Sequence, residues 1–345
     1  KNAHGQMSAS RSTGGYGDGV VDAKITAPQI PRIVWMLWFQ GWDRAPYVCK
    51  NCKKSFELWN PGWEVRALDE KMLPDVLGDY CKQFTAVCKA NNPLAPLGMS
   101  WIPPAAAADV LRLFLLRRYG GVWADATILC QKPLDEWIDD AAAYADGFFA
   151  FAPEKGDEIP IMSSFLASKP HHPLVEAWEE RVQMHWQLET RPNLEYFWLH
   201  VLFGKLVQEN HAVKELWQRR KKLTGEYGLP GPHLLMPYEQ VLAQAPTAQF
   251  KELLAKKAEP IYKLTIHDVK FDKRSNSLLQ RDGSEFGIRA ADSGFEYLMQ
   301  KTLEEAAIHF ERSKEGGSAE WQPDASPFRR DYGLSIANQP MMPGG

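Results

Sequence analysis

Charged side chains occur at close spacing in a segment that otherwise has the composition of a buried helix. Residues 105–119 are rich in alanine and leucine and are followed by Gly120-Gly121, which predicts a helix that ends at the glycines. Asp109 and Arg112 lie three residues apart in this segment, so they share one helix face. Their neighbours are apolar, and an unpaired charge among them would be costly to bury. The pair therefore indicates a polar site; a simple surface ion pair is the alternative.

A second group of polar side chains follows the two glycines. Apolar residues alternate with other residues from 122 to 129, which predicts a continuous strand with Asp125 and Thr127 on the same side. Carboxylate and hydroxyl oxygens beside a glycine turn are suited to a hard cation and to the diphosphate bound with it. The alternative is a strand whose polar residues face solvent.

The segments around these residues alternate between strand and helix character. The β-branched and aromatic run 32–39 predicts a buried first strand of a parallel sheet. A strand–helix–strand–helix order predicts an α/β sandwich with parallel strands and right-handed crossovers. Strands are predicted at 32–39, 63–68, 122–129, 148–152, 161–167 and 261–266, and helices at 49–59, 70–91, 105–119, 174–186 and 196–209.

This combination resembles glycosyltransferases of the family-32 type, including the capsular polysaccharide synthesis proteins, and more distantly the large clostridial glucosylating toxins. Those families typically show a Ser-Asp-x-x-Arg helix, a Gly-Gly turn and a strand bearing Asp-x-Asp. The opening of this chain at 30–41, Ile-Pro-Arg-Ile-Val-Trp-Met-Leu-Trp-Phe-Gln-Gly, is also similar to the family's Ile-Pro-Lys-Ile-Ile-His-x-x-Trp-x-Gly. The resemblance covers roughly residues 30–135 and continues more weakly to about residue 270. The matching residues are Asp109, Arg112, Gly120, Gly121 and Asp125.

The resemblance implies an α/β fold of the GT-A type, a Rossmann-like nucleotide-sugar-binding sandwich, with additional C-terminal helices. Trp38 and its neighbour Gln40 would line the pocket for the base or ribose. Asp109 and Arg112 would hold the donor sugar hydroxyls and position the diphosphate. Asp125 would take the first carboxylate place of Asp-x-Asp and touch ribose, sugar or metal. Asp109, Arg112 and Asp125 are thus the expected catalytic residues.

The activity implied by the resemblance is transfer of a hexose from a nucleotide sugar to an acceptor hydroxyl on a glycan or glycoconjugate. A UDP-sugar is favoured over a GDP-sugar as the donor, and the configuration at the sugar is expected to be retained. The family's usual reaction is a front-side displacement in which the leaving phosphate helps to deprotonate the acceptor.

Two departures from the family pattern bear on the metal ion. Ala108 replaces the usual Ser, and Thr127 replaces the second Asp, which is the main metal ligand of the wider family. A neutral hydroxyl is a poorer ligand for Mn²⁺ or Mg²⁺ than a carboxylate. Two interpretations stay open: a cation held by Asp125, Thr127, the diphosphate and His267, or basic side chains in place of the metal. His200 is a second candidate histidine ligand.

The missing second Asp also leaves two alternatives for the function. The chain could be a non-catalytic module that binds a nucleotide sugar or a glycan. It could also be a glycosyltransferase whose acceptor is a protein, as in the toxins.

Composition excludes several other classes of protein. The 345 residues are 45% hydrophobic and 24% charged, with a net charge of −3, so there is no overall electrostatic attraction for nucleic acid. The sequence contains no apolar run long enough to span a bilayer. The expected organisation is a flexible leader at 1–27, a glycosyltransferase domain at 28–311 and an irregular tail at 312–345.

Cysteine usage favours a reducing compartment. The five cysteines are an odd number, and the sequence has no Asn-x-Ser/Thr sequon. We therefore expect a cytoplasmic protein; a Golgi lumen is the alternative if an N-terminal anchor precedes this sequence. Cys49-x-x-Cys52 with Cys81 and Cys88 offers a zinc site in principle, but the second pair is too widely spaced, so buried or surface thiols are the favoured interpretation.

Overall fold

A five-stranded mixed sheet lies at the centre of the computed structural model, which describes residues 30–82, 84, 104–152, 160–188, 196–222, 243–256, 259–264, 270–272, 277–279 and 285–315. The strand order is β2-β1-β3-β6-β5. Strand β1 pairs in parallel with β2 and β3, whereas β6 pairs antiparallel with both β3 and β5. The strands are β1 (Ile33–Leu37), β2 (Glu64–Leu68), β3 (Gly121–Ala124), β5 (Phe148–Ala150) and β6 (Phe165–Ser168).

Helices cover both faces of this sheet. Side chains of β1 alternate between two cores, with Val34 and Met36 in one and Ile33, Trp35 and Leu37 in the other. The first core is closed by α1 (Tyr47–Trp59), α4 (Ile138–Ala143), α8 (Ala248–Lys256) and α9 (Gly294–Glu315). The second is closed by α2 (Leu73–Leu77), α3 (Pro104–Tyr119), α5 (Pro173–Leu188), α6 (Trp198–Glu209) and α7 (His211–Arg219).

Helices on both faces of a largely parallel sheet confirm the predicted α/β class, and the arrangement is consistent with a GT-A-like fold. The expectation of parallel pairing holds only for β2, β1 and β3. Strand β6 runs antiparallel to both β3 and β5, so β5 points in the same direction as β3.

The described residues also form two smaller sheets. Strand β4 (Ile128–Cys130) pairs antiparallel with β7 (Ile261–Lys263), with Ile128 opposite Lys263. The other sheet is antiparallel and joins β8 (Lys270–Asp272), β9 (Ser277–Leu279) and β10 (Glu285–Arg289). The β4–β7 pair matters for the site, because it brings a late segment of the chain next to residues 125–127.

The predicted continuous strand at 122–129 is wrong. Strand β3 ends at Ala124 and β4 begins at Ile128, and the Ile128 amide donates to the Asp125 carbonyl over 2.9 Å, which closes a turn. Asp125 and Thr127 therefore belong to this turn and not to one regular strand.

The predicted long helix at 70–91 is also wrong over its described part. Residues 70–80 form α2 between two 3-10 turns, Glu70–Met72 and Gly78–Tyr80, and residues 81 and 82 are helical again. Gly78 has a φ of 51°, a conformation that interrupts a right-handed helix.

The glycine turn before β3 requires glycine at both positions. Gly120 and Gly121 have φ values of 63° and 90°. A Cβ on Gly120 would lie 2.6 Å from the carbonyl oxygen of Ser168, and one on Gly121 would lie 2.6 Å from that of Ile33. The Trp35 indole N–H also donates to the Gly120 carbonyl over 2.9 Å. The turn therefore fits closely between β1 and the end of β6, and it fixes where β3 begins.

Most of the described cysteines are buried. Cys49, Cys52 and Cys130 are buried and Cys81 is partly exposed, whereas Cys88 lies outside the described residues. Burial raises the pKa of Cys49 to about 12, as expected for a thiol that packs as a small apolar side chain.

The ends of the chain lie largely outside the described residues. These include the predicted leader at 1–27 and residues 316–345 of the predicted tail, while α9 extends to Glu315. None of the helices in the described ranges is long and apolar enough to cross a membrane.

Candidate functional site

Arg112 lies at the centre of the candidate site and joins the two acids that the sequence pattern singled out. Its side chain comes from the middle of α3, and the residue is only 4% exposed. Arg112 Nη1 is 2.8 Å from Asp109 Oδ1, and Arg112 Nη2 is 3.2 Å from Asp125 Oδ1. A buried guanidinium is tolerated only when carboxylates and hydrogen-bond acceptors surround it. The structure thus brings together the three predicted catalytic residues.

Asp125 is held by side chains from three elements. The Trp123 indole N–H donates to Asp125 Oδ1 over 2.9 Å, and Lys263 Nζ donates to Asp125 Oδ2 over 2.8 Å. Burial by itself would raise the pKa of Asp125, but Lys263 and Arg112 outweigh it and leave the pKa below its ordinary value. Asp125 is therefore a carboxylate at neutral pH, flanked by two cations.

Thr127 shares the ammonium group of Lys263 with Asp125. Lys263 Nζ donates to Thr127 Oγ1 over 2.8 Å, and the Leu264 amide donates to the Thr127 carbonyl over 2.9 Å. These contacts follow from the pairing of β4 with β7, which places Lys263 beside the turn at 125–127. The sequence analysis missed Lys263. The available signal was that it is the only charged residue in the predicted strand 261–266.

A serine and a histidine complete the polar network on the other side of Arg112. Arg112 Nη1 donates to Ser163 Oγ over 2.5 Å, and Ser163 Oγ lies 3.2 Å from His200 Nε2. Burial and the neighbouring Arg112 lower the pKa of His200 to about 4, so its imidazole is neutral at pH 7. His200 therefore contacts the network through Ser163, which the sequence analysis did not consider.

Asp109 differs from Asp125 in its electrostatic surroundings. Burial raises the pKa of Asp109 to about 6, and Arg112 offsets only part of this effect. One acid of the site therefore titrates close to neutral pH while the other stays ionised, a difference that is common among acids with separate roles in one site.

The predicted nucleotide-binding residues lie at the same edge of the sheet. Trp38 directly follows β1, and the parallel register that pairs Trp35 with Trp123 places the ends of β1 and β3 side by side. Trp38 is partly buried and Gln40 is exposed. No hydrogen bond or ion pair between described residues joins either of them to the Arg112 network, and their contact with a nucleotide stays a prediction.

The predicted metal ligands surround an ammonium group. Asp125 Oδ2 and Thr127 Oγ1 both accept hydrogen bonds from Lys263, while Asp125 Oδ1 accepts from Arg112. Within the described ranges, no group of three or more His, Cys, Asp or Glu is placed to hold a metal ion. The residues around Asp125 thus do not fit Mn²⁺ or Mg²⁺ in this arrangement. His267 lies outside the described residues, and its role as a ligand stays a prediction.

Comparison with known proteins gives consistent matches. Residues 20–281 match the family model described as capsular polysaccharide synthesis protein. The chain is 26% identical over 183 residues to the O-glycosyltransferase braB of Annulohypoxylon truncatum, and the aligned region covers 50% of this chain and 41% of that protein. It is 22% identical over 224 residues to inositol phosphoceramide mannosyltransferase 2 of Schizosaccharomyces pombe, which covers 63% of this chain and 53% of that protein. The chain thus spans about half the length of these relatives.

Among solved structures, the PaToxG glycosyltransferase is similar to this chain with a TM-score of 0.37 and 13% sequence identity. The similarity covers 67% of this chain and 86% of that one.

Proposed function

The chain belongs to the family of capsular polysaccharide synthesis proteins, since that family's model spans residues 20–281 of its 345 residues, and from this premise we propose that it is a glycosyltransferase. The observation that carries the proposal is the buried network of Asp109, Arg112 and Asp125 at the carboxyl end of β3. In open α/β sheets, ligands bind in the crevice outside the carboxyl ends of the strands. The glycosyltransferase relatives, among them a mannosyltransferase, support the same class of reaction.

The proposed reaction moves a hexose from a nucleotide sugar, with a UDP-sugar favoured, to a hydroxyl of a glycan or glycoconjugate. The bond between sugar C1 and the diphosphate oxygen breaks, and its electron pair leaves with the nucleoside diphosphate. The acceptor oxygen forms the new bond to C1, and its proton passes to the leaving phosphate. Attack from the face that the diphosphate leaves would retain the configuration at C1.

Each residue of the network has a role that suits its contacts. Asp109, in its ionised form, would accept hydrogen bonds from hydroxyls of the donor sugar, and Arg112 would donate to the diphosphate. Asp125 keeps Arg112 and Lys263 in place by accepting from both. Trp38 would stack on the base or ribose at the neighbouring end of β1.

An exposed aromatic surface beside the network is suited to the acceptor. Tyr196 is 81% exposed, and Phe197 and Val201 are also exposed at the start of α6. The Phe197 ring lies 5.3 Å from the ring of His200, which contacts Ser163 and through it Arg112. Exposed aromatic rings next to a polar site commonly bind sugar rings or other apolar faces of a ligand.

A donor screen with one variant tests the proposal. Thermal shift with a panel of UDP- and GDP-sugars should identify one donor that stabilises the protein, and that donor should be hydrolysed slowly without an acceptor. Asp125→Asn should lower the kcat/KM of this hydrolysis by about 100-fold or more, because Arg112 and Lys263 lose the carboxylate that positions them.

Asp146→Asn is the matched control for this variant. Asp146 also pairs with a lysine over 2.8 Å. It lies between α4 and β5, at the amino end of β5, whereas the site lies at the carboxyl end of β3. Unchanged turnover in Asp125→Asn would contradict the catalytic assignment. Donor binding without any turnover would favour the non-catalytic binding module.

A further inference from the structure

We infer that Lys263 is a diphosphate-binding residue, which supplies at the site the positive charge that the Asp-x-Asp pattern would assign to a metal ion. The inference rests on the proposed function, because it concerns the diphosphate of the same nucleotide-sugar donor. It follows from the position of the Lys263 side chain, which β7 brings to Asp125 from 138 positions later in the chain. Nζ of Lys263 lies 2.8 Å from Asp125 Oδ2 and 2.8 Å from Thr127 Oγ1.

These two oxygens are the ones that the sequence pattern offers to a cation. With the ammonium between them, a divalent ion at the same oxygens would lie against a positive charge in a partly buried site, where repulsion between like charges is strong. The hydroxyl of Thr127 is a poor ligand for Mn²⁺ or Mg²⁺ but a good acceptor for an N–H donor. Thr127 in place of a second Asp thus suits an ammonium group better than it suits a metal ion.

Lys263 is also placed to reach a ligand. Its side chain is 17% exposed and that of Asp125 is 26% exposed, whereas that of Arg112 is only 5% exposed. An ammonium group has three N–H donors, and the contacts with Asp125 and Thr127 use two of them. No other described residue accepts from this ammonium group, so its third donor is available for a phosphate oxygen.

The charges of the site are balanced before the donor binds. Arg112 and Lys263 carry two positive charges, and the carboxylates of Asp109 and Asp125 carry two negative charges, with Asp125 accepting from both cations. A diphosphate that enters would meet both cations, and Asp125 would keep them at a fixed separation. As the bond from C1 to the diphosphate oxygen breaks, negative charge grows on the departing phosphate, and both cations would stabilise it.

The test is the binding of UDP and GDP to the whole chain, in EDTA and in Mn²⁺, measured by calorimetry. The wild-type protein is expected to bind one of the two nucleoside diphosphates with the same affinity in EDTA as in Mn²⁺. Lys263→Met should weaken that binding by roughly 10- to 100-fold, the usual effect of losing a charge-assisted hydrogen bond. The matching nucleoside, which has no phosphate, should bind equally well to the wild type and to Lys263→Met, as measured by saturation-transfer NMR.

Two further variants separate the lost charge from a damaged fold. Lys263→Arg keeps the positive charge and should recover most of the affinity for the diphosphate. Lys169→Met removes a lysine that pairs with Asp146 over 2.8 Å at the opposite edge of the sheet, and it should bind like the wild type. The wild-type comparison of EDTA with Mn²⁺ needs no variant and stays decisive if Lys263→Met does not fold.

The outcomes separate this inference from the proposed function. Binding that requires Mn²⁺, or equal affinity in Lys263→Met and the wild type, would overturn the role of Lys263 and leave the glycosyltransferase proposal intact. If neither nucleoside diphosphate binds with or without Mn²⁺, the proposed function fails, and the role of Lys263 fails with it.

Discussion

Asp109 and Asp125 are the same residue type in one buried network, yet their pKa values shift in opposite directions. Both experience burial, which raises a carboxyl pKa. Asp125 lies between Arg112 and Lys263, and these two cations reverse the effect. Asp109 has a direct ion pair with Arg112 alone among the described residues, so burial prevails. The number of cations around each carboxylate therefore decides which acid titrates near neutral pH.

This difference predicts the pH dependence of the reaction. The ionised form of Asp109 prevails only above its pKa of about 6, so the kcat/KM of donor hydrolysis should fall as the pH drops through 6. Asp109→Asn should have lower activity and lack this limb, whereas Asp146→Asn should keep it. A wild-type profile that is flat through pH 6 would contradict the role of Asp109.

The same shift has a defined effect on stability. Between its ordinary pKa of 3.8 and about 6, Asp109 is more protonated in the folded than in the unfolded protein. Its contribution to the free energy of unfolding is therefore full below 3.8 and is lost as the pH rises through 6. In thermal melts across this pH range, the Tm should decline less with rising pH in Asp109→Asn than in the wild type.

The turn between α3 and β3 is the element that sets the geometry of the site. Helix α3 presents Asp109 and Arg112, and β3 ends one residue before Asp125. The two elements are joined by Gly120-Gly121, and both glycines have a positive φ and touch backbone atoms of other strands. A side chain at either position would force β3 away from β1 or β6.

Gly121→Ala should therefore lower stability markedly. Its Cβ would lie 2.6 Å from the Ile33 carbonyl oxygen, and the φ of 90° is strained for alanine. The free energy of unfolding in urea should fall by about 1–3 kcal/mol or more. The control is Gly62→Ala, because a Cβ there meets no atom within 4 Å, and its effect should stay within about 0.5 kcal/mol. Equal stability of both variants would contradict a tightly fitted turn.

Substitutions at the start of α6 should affect binding of the acceptor and not binding or hydrolysis of the donor. Removal of the exposed Tyr196 ring in Tyr196→Ala should raise the KM for the acceptor, while donor hydrolysis without acceptor stays unchanged. Tyr144→Ala is the matched control, because Tyr144 is also exposed and follows α4 at the opposite edge of the sheet. A loss of donor hydrolysis in Tyr196→Ala would instead place this ring in the donor site.

The packing of α3, the helix that bears Asp109 and Arg112, against α5 depends on ion pairs between the two helices. Arg117 near the end of α3 contacts Glu176, Glu179 and Glu180 of α5. The Glu179 side chain is buried, and Gln183 also donates to it. This cluster ties the helix that bears Asp109 and Arg112 to the helix packed outside it.

Arg117→Met should destabilise the fold, because it leaves the buried Glu179 charge with only Gln183 as a partner among the described residues. Removing one member of a fully buried pair costs about 3–5 kcal/mol, and because the Arg117 side chain is 24% exposed, the loss should be smaller, roughly 2–3 kcal/mol. Arg181→Met breaks a partly exposed pair with Glu209 and should cost at most about 1 kcal/mol. Urea unfolding monitored by tryptophan fluorescence measures both variants. Similar losses in the two would show that Arg117 contributes no more than a surface ion pair.

The local parts of the site could be predicted from the sequence. The helix that bears Asp109 and Arg112, the glycine turn after it and the first strand all follow from apolar periodicity and from the backbone freedom of glycine. These properties depend on residues only a few positions apart, and the family pattern runs through the same short segment. The break between β3 and β4 was missed, because residues 122–129 alternate as a strand does, while the turn that ends β3 exposes no glycine or proline.

Which distant side chains complete the site depends on the tertiary structure. Lys263 reaches Asp125 across 138 positions of the chain, and Ser163 reaches Arg112 across 51. Their places depend on the pairing of β4 with β7 and of β3 with β6, and both pairs are antiparallel. Such long-range pairing is set by the packing of whole layers, for which no short stretch of sequence carries the information. The acids of the site were therefore readable in the sequence, whereas the cation between Asp125 and Thr127 was not.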